Sequence, residues 1–196
     1  KMQALYPGKP LINSEPCYEQ MGYSGNMYGR WSRRDVRRAA WVSVLSGACA
    51  GVTYGAAGIY SWHKVKKGFH TLLGEGFDMP MSWEEAMAFP GAWDYGYLKM
   101  LLEELDATAL TPRQDLLVND TADIRVAQAG SELLLVYVPF NTKVRLDLDL
   151  SGWDVKVIDL AERFTAYVDV TLKDEKSVIG MHPFGEDALI VARKIK

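Results

Sequence analysis

A carboxylate that follows a short apolar segment is the first feature of this sequence that could do chemistry. Residues 9–19 read KPLINSEPCYE, in which an apolar pair is followed by three polar residues ending in Glu15, and then by Pro16. A buried strand over residues 9–14 would present Glu15 at its carboxyl end, where barrels of parallel strands build their active sites. The pattern predicts Glu15 as the catalytic residue. The alternative is a turn or helix-start carboxylate.

The residues after Glu15 predict the elements that would hold it. Residues 18–34 are rich in Gly, Tyr, Ser and Asn, which is typical of an ordered loop. The segment from Ser32 to Asp35 could cap a helix that runs to about Cys49, and Asp35 is the favoured N-cap. Residues 52–54 then predict a second short strand. Strand, loop, helix and strand together form the parallel crossover unit of α/β proteins.

Two further helical segments follow a glycine-rich loop over residues 56–81. Ser82 and Glu85 have the spacing of a capping box, in which each side chain satisfies the backbone amide of the other residue. The helix that follows is interrupted at Pro90 and resumes to Leu105, with apolar residues three and four positions apart. This spacing predicts one apolar face that packs outside the sheet.

The hydrophobic period changes from about 3.6 to 2 after Pro112, which predicts a domain boundary. We place the two domains at residues 1–110 and 111–196. Six or seven strands are predicted in the second domain, with turn signals about every ten residues, and no helix. The strands lie near residues 124–127, 133–138, 144–150, 153–157, 168–172 and 188–192. This pattern is typical of an antiparallel β-sandwich, so the fold class is α/β plus all-β.

Composition excludes several classes of protein. The net charge of −3 does not indicate a positively charged surface that would bind a polyanion, so nucleic acid is not an expected partner. The longest apolar run, residues 39–57, is interrupted by Ser, Thr and Gly, so no membrane span is expected. Cys17 and Cys49 form neither a disulfide framework nor a zinc motif. His70 and His182 have no partners at metal-ligand spacing, and we expect no metal and no cofactor.

Several motifs in the first domain resemble those of one enzyme family. They are NSEP at 13–16 with YE at 18–19, VRRAAW at 36–41, SGA at 46–48 and TYG at 53–55, followed by Ile59 and Trp62. Their order and spacing resemble the last third of the apiosidase-like glycoside hydrolases. Members of this family have a (β/α)8 barrel, which is often followed by a small β domain labelled collagen-binding. Residues 116–196 resemble that appendage.

The resemblance implies a fold, a reaction and a localisation. Residues 9–14 would be the seventh barrel strand and residues 52–55 the eighth, so the chain would hold the C-terminal part of a TIM barrel. Glu15 would be the nucleophile of a retaining glycosidase, and the acid/base would be an aspartate on an earlier strand. The first six βα units are absent from residues 1–196, so these residues alone would be inactive. The resemblance implies a secreted or periplasmic enzyme of polysaccharide degradation.

The predicted substrate-binding residues surround Glu15 in the sequence. They are Asn13, Tyr18, Glu19, Tyr60, Trp62 and His63. Glu19 could orient Tyr18 or arginine side chains, or it could be a solvated loop acid. Trp62 is the favoured platform for a sugar ring, because an aromatic ring supplies a large rigid contact area. Its alternative is a cluster at the barrel rim, and His63 could bind a sugar hydroxyl or have no special role.

Two classes of function are therefore open. The first is hydrolysis of a glycosidic bond in an oligo- or polysaccharide, for which a retaining enzyme needs two carboxyl groups about 5 Å apart. Arg37 or Arg38 could favour the charged form of Glu15, although a position outside the barrel is the favoured alternative for both. The second class is a non-catalytic carbohydrate-binding or structural module, in which the β domain does the binding.

Overall fold

The computed structural model describes residues 5–6, 8–23, 28–64 and 79–195. The chain forms two compact units. The first unit comprises Lys1–Ile12, Trp41–Gly51 and Leu101–Lys196, and the second unit comprises Asn13–Ala40 and Val52–Met100. The predicted division after residue 110 stays a prediction.

The predicted strands and helix occur in the expected order, but the strands are shorter than expected. The prediction that the first strand is buried is wrong, because Ile12 is 57% exposed. Strand β1 (Ile12–Asn13) pairs with strand β2 (Gly51–Val52), and helix α1 (Arg33–Leu45) lies between them in the sequence. The Ala50 amide donates to the Leu11 carbonyl over 2.8 Å, and the Thr53 amide donates to the Asn13 carbonyl over 3.1 Å. In these two hydrogen bonds the higher-numbered partner on one strand faces the higher-numbered partner on the other, so the two strands are parallel.

The prediction of Asp35 as the N-cap of α1 is wrong, because the helix begins three residues earlier than expected. Arg33 is the first helical residue, and Ser32 precedes it. The Ser32 hydroxyl accepts from the Asp35 amide over 3.3 Å, while the Asp35 carboxylate accepts from the Ser32 amide over 2.8 Å. Asp35 is therefore the reciprocal partner within the first turn rather than the cap itself.

The capping box at Ser82 and Glu85 is confirmed. It starts the short helix α2 (Trp83–Ala86), and the second helical segment is α3 (Gly91–Glu104). Leu98 and Leu101 on α3 are buried, as the spacing predicted, whereas Trp93 is 70% exposed.

Nine antiparallel strands follow α3 within the described residues. They are β3 (Leu110–Pro112), β4 (Arg125–Ala129), β5 (Leu133–Val138), β6 (Val144–Leu146), β7 (Trp153–Asp159), β8 (Thr165–Tyr167), β9 (Val170–Lys173), β10 (Lys176–Ile179) and β11 (Ala188–Lys194). A 3-10 turn at Gln114–Leu116 is the helical segment that the sequence did not predict. One sheet has the order β3-β4-β5-β11-β7-β8, and the other has the order β6-β10-β9.

The two sheets share one hydrophobic cluster. Val136 and Ile190 contribute to it from the six-stranded sheet, and Leu146 and Ile179 contribute from the three-stranded sheet. Strand β5 lies between β4 and β11, and all six of its residues are buried. Such a continuous apolar strand is expected where both faces of a sheet are covered. No helix among the described residues has the length and apolar character needed to cross a lipid bilayer.

Candidate active site

Glu15 lies just beyond the carboxyl end of β1, where the sequence predicted it, and is exposed. Its backbone amide donates to the Asn13 side-chain oxygen over 3.4 Å, which forms a local turn. The Thr53 hydroxyl, just beyond β2, donates to the Ser14 carbonyl over 2.7 Å. The segments after the two parallel strands are therefore joined directly beside the predicted nucleophile.

The aromatic ring of Tyr18 lies close to Glu15 and packs against two other residues. Its ring lies against Gly55, since a Cβ atom built on Gly55 would overlap the Tyr18 ring. On another side, the Tyr18 and Tyr60 ring centroids are 5.3 Å apart. Burial raises the pKa of Tyr18, and the negative charge of Glu15 and hydrogen bonding to it raise this pKa further. Tyr18 is thus held between Gly55 and Tyr60 and senses the charge of Glu15.

Glu19 is not the solvated loop acid that was one of its two predicted roles, because it is only 2% exposed. Its carboxylate accepts a hydrogen bond from the Tyr54 hydroxyl over 2.6 Å and another from the Gly91 amide over 2.9 Å. Burial raises the pKa of Glu19, while the hydrogen bonds from Tyr54 and Gly91 oppose that shift. Glu19 is therefore committed to partners inside the protein.

Tyr54 completes this buried group. It packs edge-on against Tyr95, with ring centroids 5.3 Å apart. Burial raises the pKa of Tyr54, and its hydrogen bond to Glu19 raises it further. The Tyr54 hydroxyl consequently stays protonated and available as a donor. Burial likewise raises the pKa of the neighbouring Cys17 thiol to about 11, and Cys49 is exposed.

Arg37 joins helices α1 and α3 through a buried ion pair. The Arg37 guanidinium donates to Asp94 over 2.9 Å, and their side chains are 1% and 0% exposed. Arg33 adds two hydrogen bonds to the same carboxylate, of 2.7 and 2.8 Å. Arg38 is exposed. Arg37 thus fixes the relative position of two helix starts.

Trp62 presents an exposed ring that is backed by a second indole. Trp62 is 60% exposed and stacks on Trp83 with ring centroids 4.9 Å apart and an interplanar angle of 7°. The Trp83 amide donates to the His63 carbonyl over 2.9 Å, so the stack is anchored through the backbone. The Trp83 indole nitrogen and the Ser61 hydroxyl are buried and have no hydrogen-bond partner among the described residues.

All seven residues predicted for the site belong to the second unit. Glu15, Tyr18 and Tyr60 form one group, and Trp62 and His63 form another with Trp83. No role was predicted for Gly55, Gly91 or Trp83, although a glycine directly after a strand signals a close approach of other groups. His70 lies outside the described residues. Among the residues that the structure describes, no cluster of three His, Cys, Asp or Glu side chains could hold a metal ion.

Two solved structures with the same fold are described as glycoside hydrolases. A crystal structure of a glycoside hydrolase family 5 from Bacteroides vulgatus ATCC 8482 matches 98% of this chain with a TM-score of 0.81 and 24% identity. A second, described as a glycoside hydrolase, matches 98% of this chain with a TM-score of 0.80 and 22% identity. This chain spans only 43% and 44% of those two proteins, respectively. No curated protein matches the sequence.

A sequence model described as "Apiosidase-like, catalytic domain" matches residues 1–109, which is more than half of the 196 residues. The chain therefore belongs to the apiosidase-like family. The family resemblance expected from the NSEP, VRRAAW and TYG motifs is confirmed for these residues. The collagen-binding label of the C-terminal β domain stays a prediction.

Proposed function

We propose that this chain is the C-terminal part of a glycosidase that hydrolyses an O-glycosyl bond in a polysaccharide with retention of configuration. Glu15 is the nucleophile that attacks the anomeric carbon. The observation that carries this proposal is the exposed Glu15 carboxylate at the carboxyl end of the parallel pair β1 and β2. That end of a barrel strand is where residues of this role are found.

The remainder of the barrel lies in segments outside residues 1–196. Strands β1 and β2 form a sheet of only two strands within the described residues, and the related solved structures are more than twice as long. In this proposal β1 and β2 are barrel strands seven and eight, and the β strands from residue 111 onward form a sandwich. An aspartate on an earlier strand protonates the leaving oxygen and then activates water.

The aromatic groups near Glu15 bind the sugar. The exposed face of Trp62 supplies a flat apolar surface, which Trp83 holds in place by stacking. Tyr18, Tyr60 and Asn13 line the approach to Glu15, and His63 offers a ring nitrogen for a hydroxyl. Stacking on an aromatic face suits the apolar side of a pyranose or furanose ring. The family name suggests an apiose-containing pectic polysaccharide as the first substrate to assay, with a secreted or periplasmic address.

Replacing Glu15 by Gln in the complete protein tests this assignment. We expect hydrolysis of the polysaccharide to fall by about three orders of magnitude or more, because the amide cannot form the covalent intermediate. Glu104→Gln, an exposed glutamate at the end of α3, is the matched control and should retain full activity. Hydrolysis by Glu15→Gln at the full rate would exclude Glu15 as the nucleophile.

A non-catalytic carbohydrate-binding role is the second candidate. It is favoured by a cavity of about 310 Å³ in the first unit, whose lining includes Trp153, Tyr167 and Asp154. Aromatic rings and a carboxylate are groups that bind sugars in water. In this case the complete protein would bind polysaccharide without any hydrolysis, and Glu15→Gln would leave binding unchanged.

A further inference from the structure

Glu19 lies four residues after the proposed nucleophile, where the segment following β1 meets the segment following β2. The Glu19 amide donates to the Gly55 carbonyl over 2.9 Å, and the Glu19 carbonyl accepts from the Ala57 amide over 2.9 Å. These two bonds form a parallel bridge between Glu19 and Ala56. The backbone at Glu19 thus continues the parallel pairing that β1 and β2 begin.

The side chain of Glu19 extends this attachment to two more groups. Its carboxylate accepts from the Tyr54 hydroxyl over 2.6 Å and from the Gly91 amide over 2.9 Å. Gly91 is the first residue of α3, and an amide at a helix start has no partner within the helix. A carboxylate there is favoured by both the hydrogen bond and the helix dipole. One buried side chain therefore fixes the loop to Tyr54 and to α3.

The close approach to α3 depends on the glycine at position 91. A Cβ atom built there would collide with the Glu19 carboxylate and would also meet Val36 of α1 within 2.7 Å. Both neighbours are buried, so neither could move far. Position 91 therefore leaves room for the Glu19 carboxylate and for no additional carbon.

We infer that Glu19 is a positioning residue that holds the Glu15 carboxylate in its reactive geometry through the loop between them. This inference rests on the proposed function. The loop is fixed before Glu15 by Thr53, which bonds to Ser14, and after Glu15 by Glu19. A retaining glycosidase needs its two carboxyl groups at a defined separation of about 5 Å. A displacement of about 1 Å of a reacting group can cost a factor of about 100 in rate.

Alanine and glutamine substitutions at Glu19 in the complete protein test this role. We expect Glu19→Ala to lower kcat about 100-fold with KM within about threefold, because the loss affects geometry rather than substrate contact. Glu19→Gln should recover kcat to within about tenfold, since its amide oxygen still accepts from Tyr54 and Gly91. Circular dichroism at the assay temperature identifies the folded variants, and Glu104→Gln is again the matched control.

Tyr54→Phe provides a milder variant should Glu19→Ala fail to fold. It removes one of the two hydrogen bonds and keeps the ring, so we expect kcat to fall about tenfold at nearly constant KM. Hydrogen exchange gives a readout that is independent of activity. Amides of residues 13–19 should exchange faster in Glu19→Ala or Tyr54→Phe, while those of β5 should keep their protection.

The outcomes separate this inference from the proposed function. An inactive Glu15→Gln together with folded Glu19 and Tyr54 variants of unchanged kcat would overturn the inference alone. Unchanged exchange at residues 13–19 would also overturn it. A fully active Glu15→Gln would overturn the nucleophile assignment and, with it, the role of Glu19. Lowered kcat, rescue by glutamine and local loss of protection would together establish it.

Discussion

At the scale of single residues, one short loop holds two carboxylates in opposite environments. Glu15 is exposed beside a tyrosine, whereas Glu19 is 2% exposed and receives two hydrogen bonds. The difference comes from their partners, because Glu19 meets the start of a helix and a phenol whose pKa is raised by burial. Two glutamates four residues apart can therefore have separate roles, with Glu15 as the proposed nucleophile and Glu19 as a buried acceptor of hydrogen bonds.

The raised pKa of Glu19 predicts a pH dependence of stability. Because the folded state holds the Glu19 proton more tightly than the unfolded chain, this contribution is fully present below the ordinary glutamate pKa. It is lost as pH rises from that value through the raised pKa of the folded protein. Urea unfolding at several pH values should therefore show the stability of the natural protein falling relative to Glu19→Gln across this window. A relative stability that rises with pH would mean that Tyr54 and Gly91 outweigh burial.

At the scale of elements, α1 and α3 are joined by charge. Asp94 on α3 accepts from both Arg33 and Arg37 of α1, and its side chain is fully buried. Arg37 and Asp94 meet where water is excluded, whereas the Arg33 side chain is 32% exposed. A buried charge that loses its counterion lowers the free energy of unfolding, so the pairing of Arg37 with Asp94 is important for stability.

Asp94→Ala should lower the free energy of unfolding by about 3–5 kcal/mol, because buried Arg37 loses its carboxylate partner. The matched control is Asp115→Ala, which also removes an aspartate paired with an arginine, but one that is 64% exposed. Its expected cost is at most about 1 kcal/mol. Equal costs in denaturant unfolding would contradict the view that burial makes the Asp94 pair important.

The elements that were predictable from the sequence are those whose signals are local. The run at Leu133–Val138 is continuous and apolar, and it is a strand with those bounds. Strand β10 was missed because the hairpin turn before it uses Asp174 and Glu175, both with positive φ, rather than a glycine or asparagine. The Glu19 contacts were also unpredictable, since Gly91 lies 72 residues away in the sequence. The position of Glu15 just after β1 was predictable because the change from apolar to polar residues is a local signal, and its role as the nucleophile stays a prediction.

At the scale of the whole molecule, the two antiparallel sheets share one cluster of buried apolar side chains among the described residues. Leu134, Val136 and Val138 of β5 each contribute to the shared cluster and are fully buried. Strand β11 pairs with β5 on one side and with β7 on the other, so the central strands are sequentially distant. Packing of this kind stabilises the first unit through contacts between residues that are far apart in the sequence.

Leu134→Ala should therefore destabilise the first unit by about 2–5 kcal/mol, because it leaves a cavity in a fully buried cluster. Leu172→Ala is the matched control, since that leucine lies on edge strand β9 and is 53% exposed. We expect less than about 1 kcal/mol for the control. Thermal and urea unfolding of the two variants provide the comparison, and similar losses would argue against a tightly packed cluster.

The two cysteine thiols of the chain have unequal reactivity as a consequence of their surroundings. With a pKa of about 11, the Cys17 thiol is ionised in only about one molecule in ten thousand at neutral pH. Electrophiles and oxidants attack the ionised form, so Cys17 resists alkylation although it lies two residues from the proposed nucleophile. The exposed Cys49 is the better site for attaching a dye or a crosslinker without modifying the segment around Glu15.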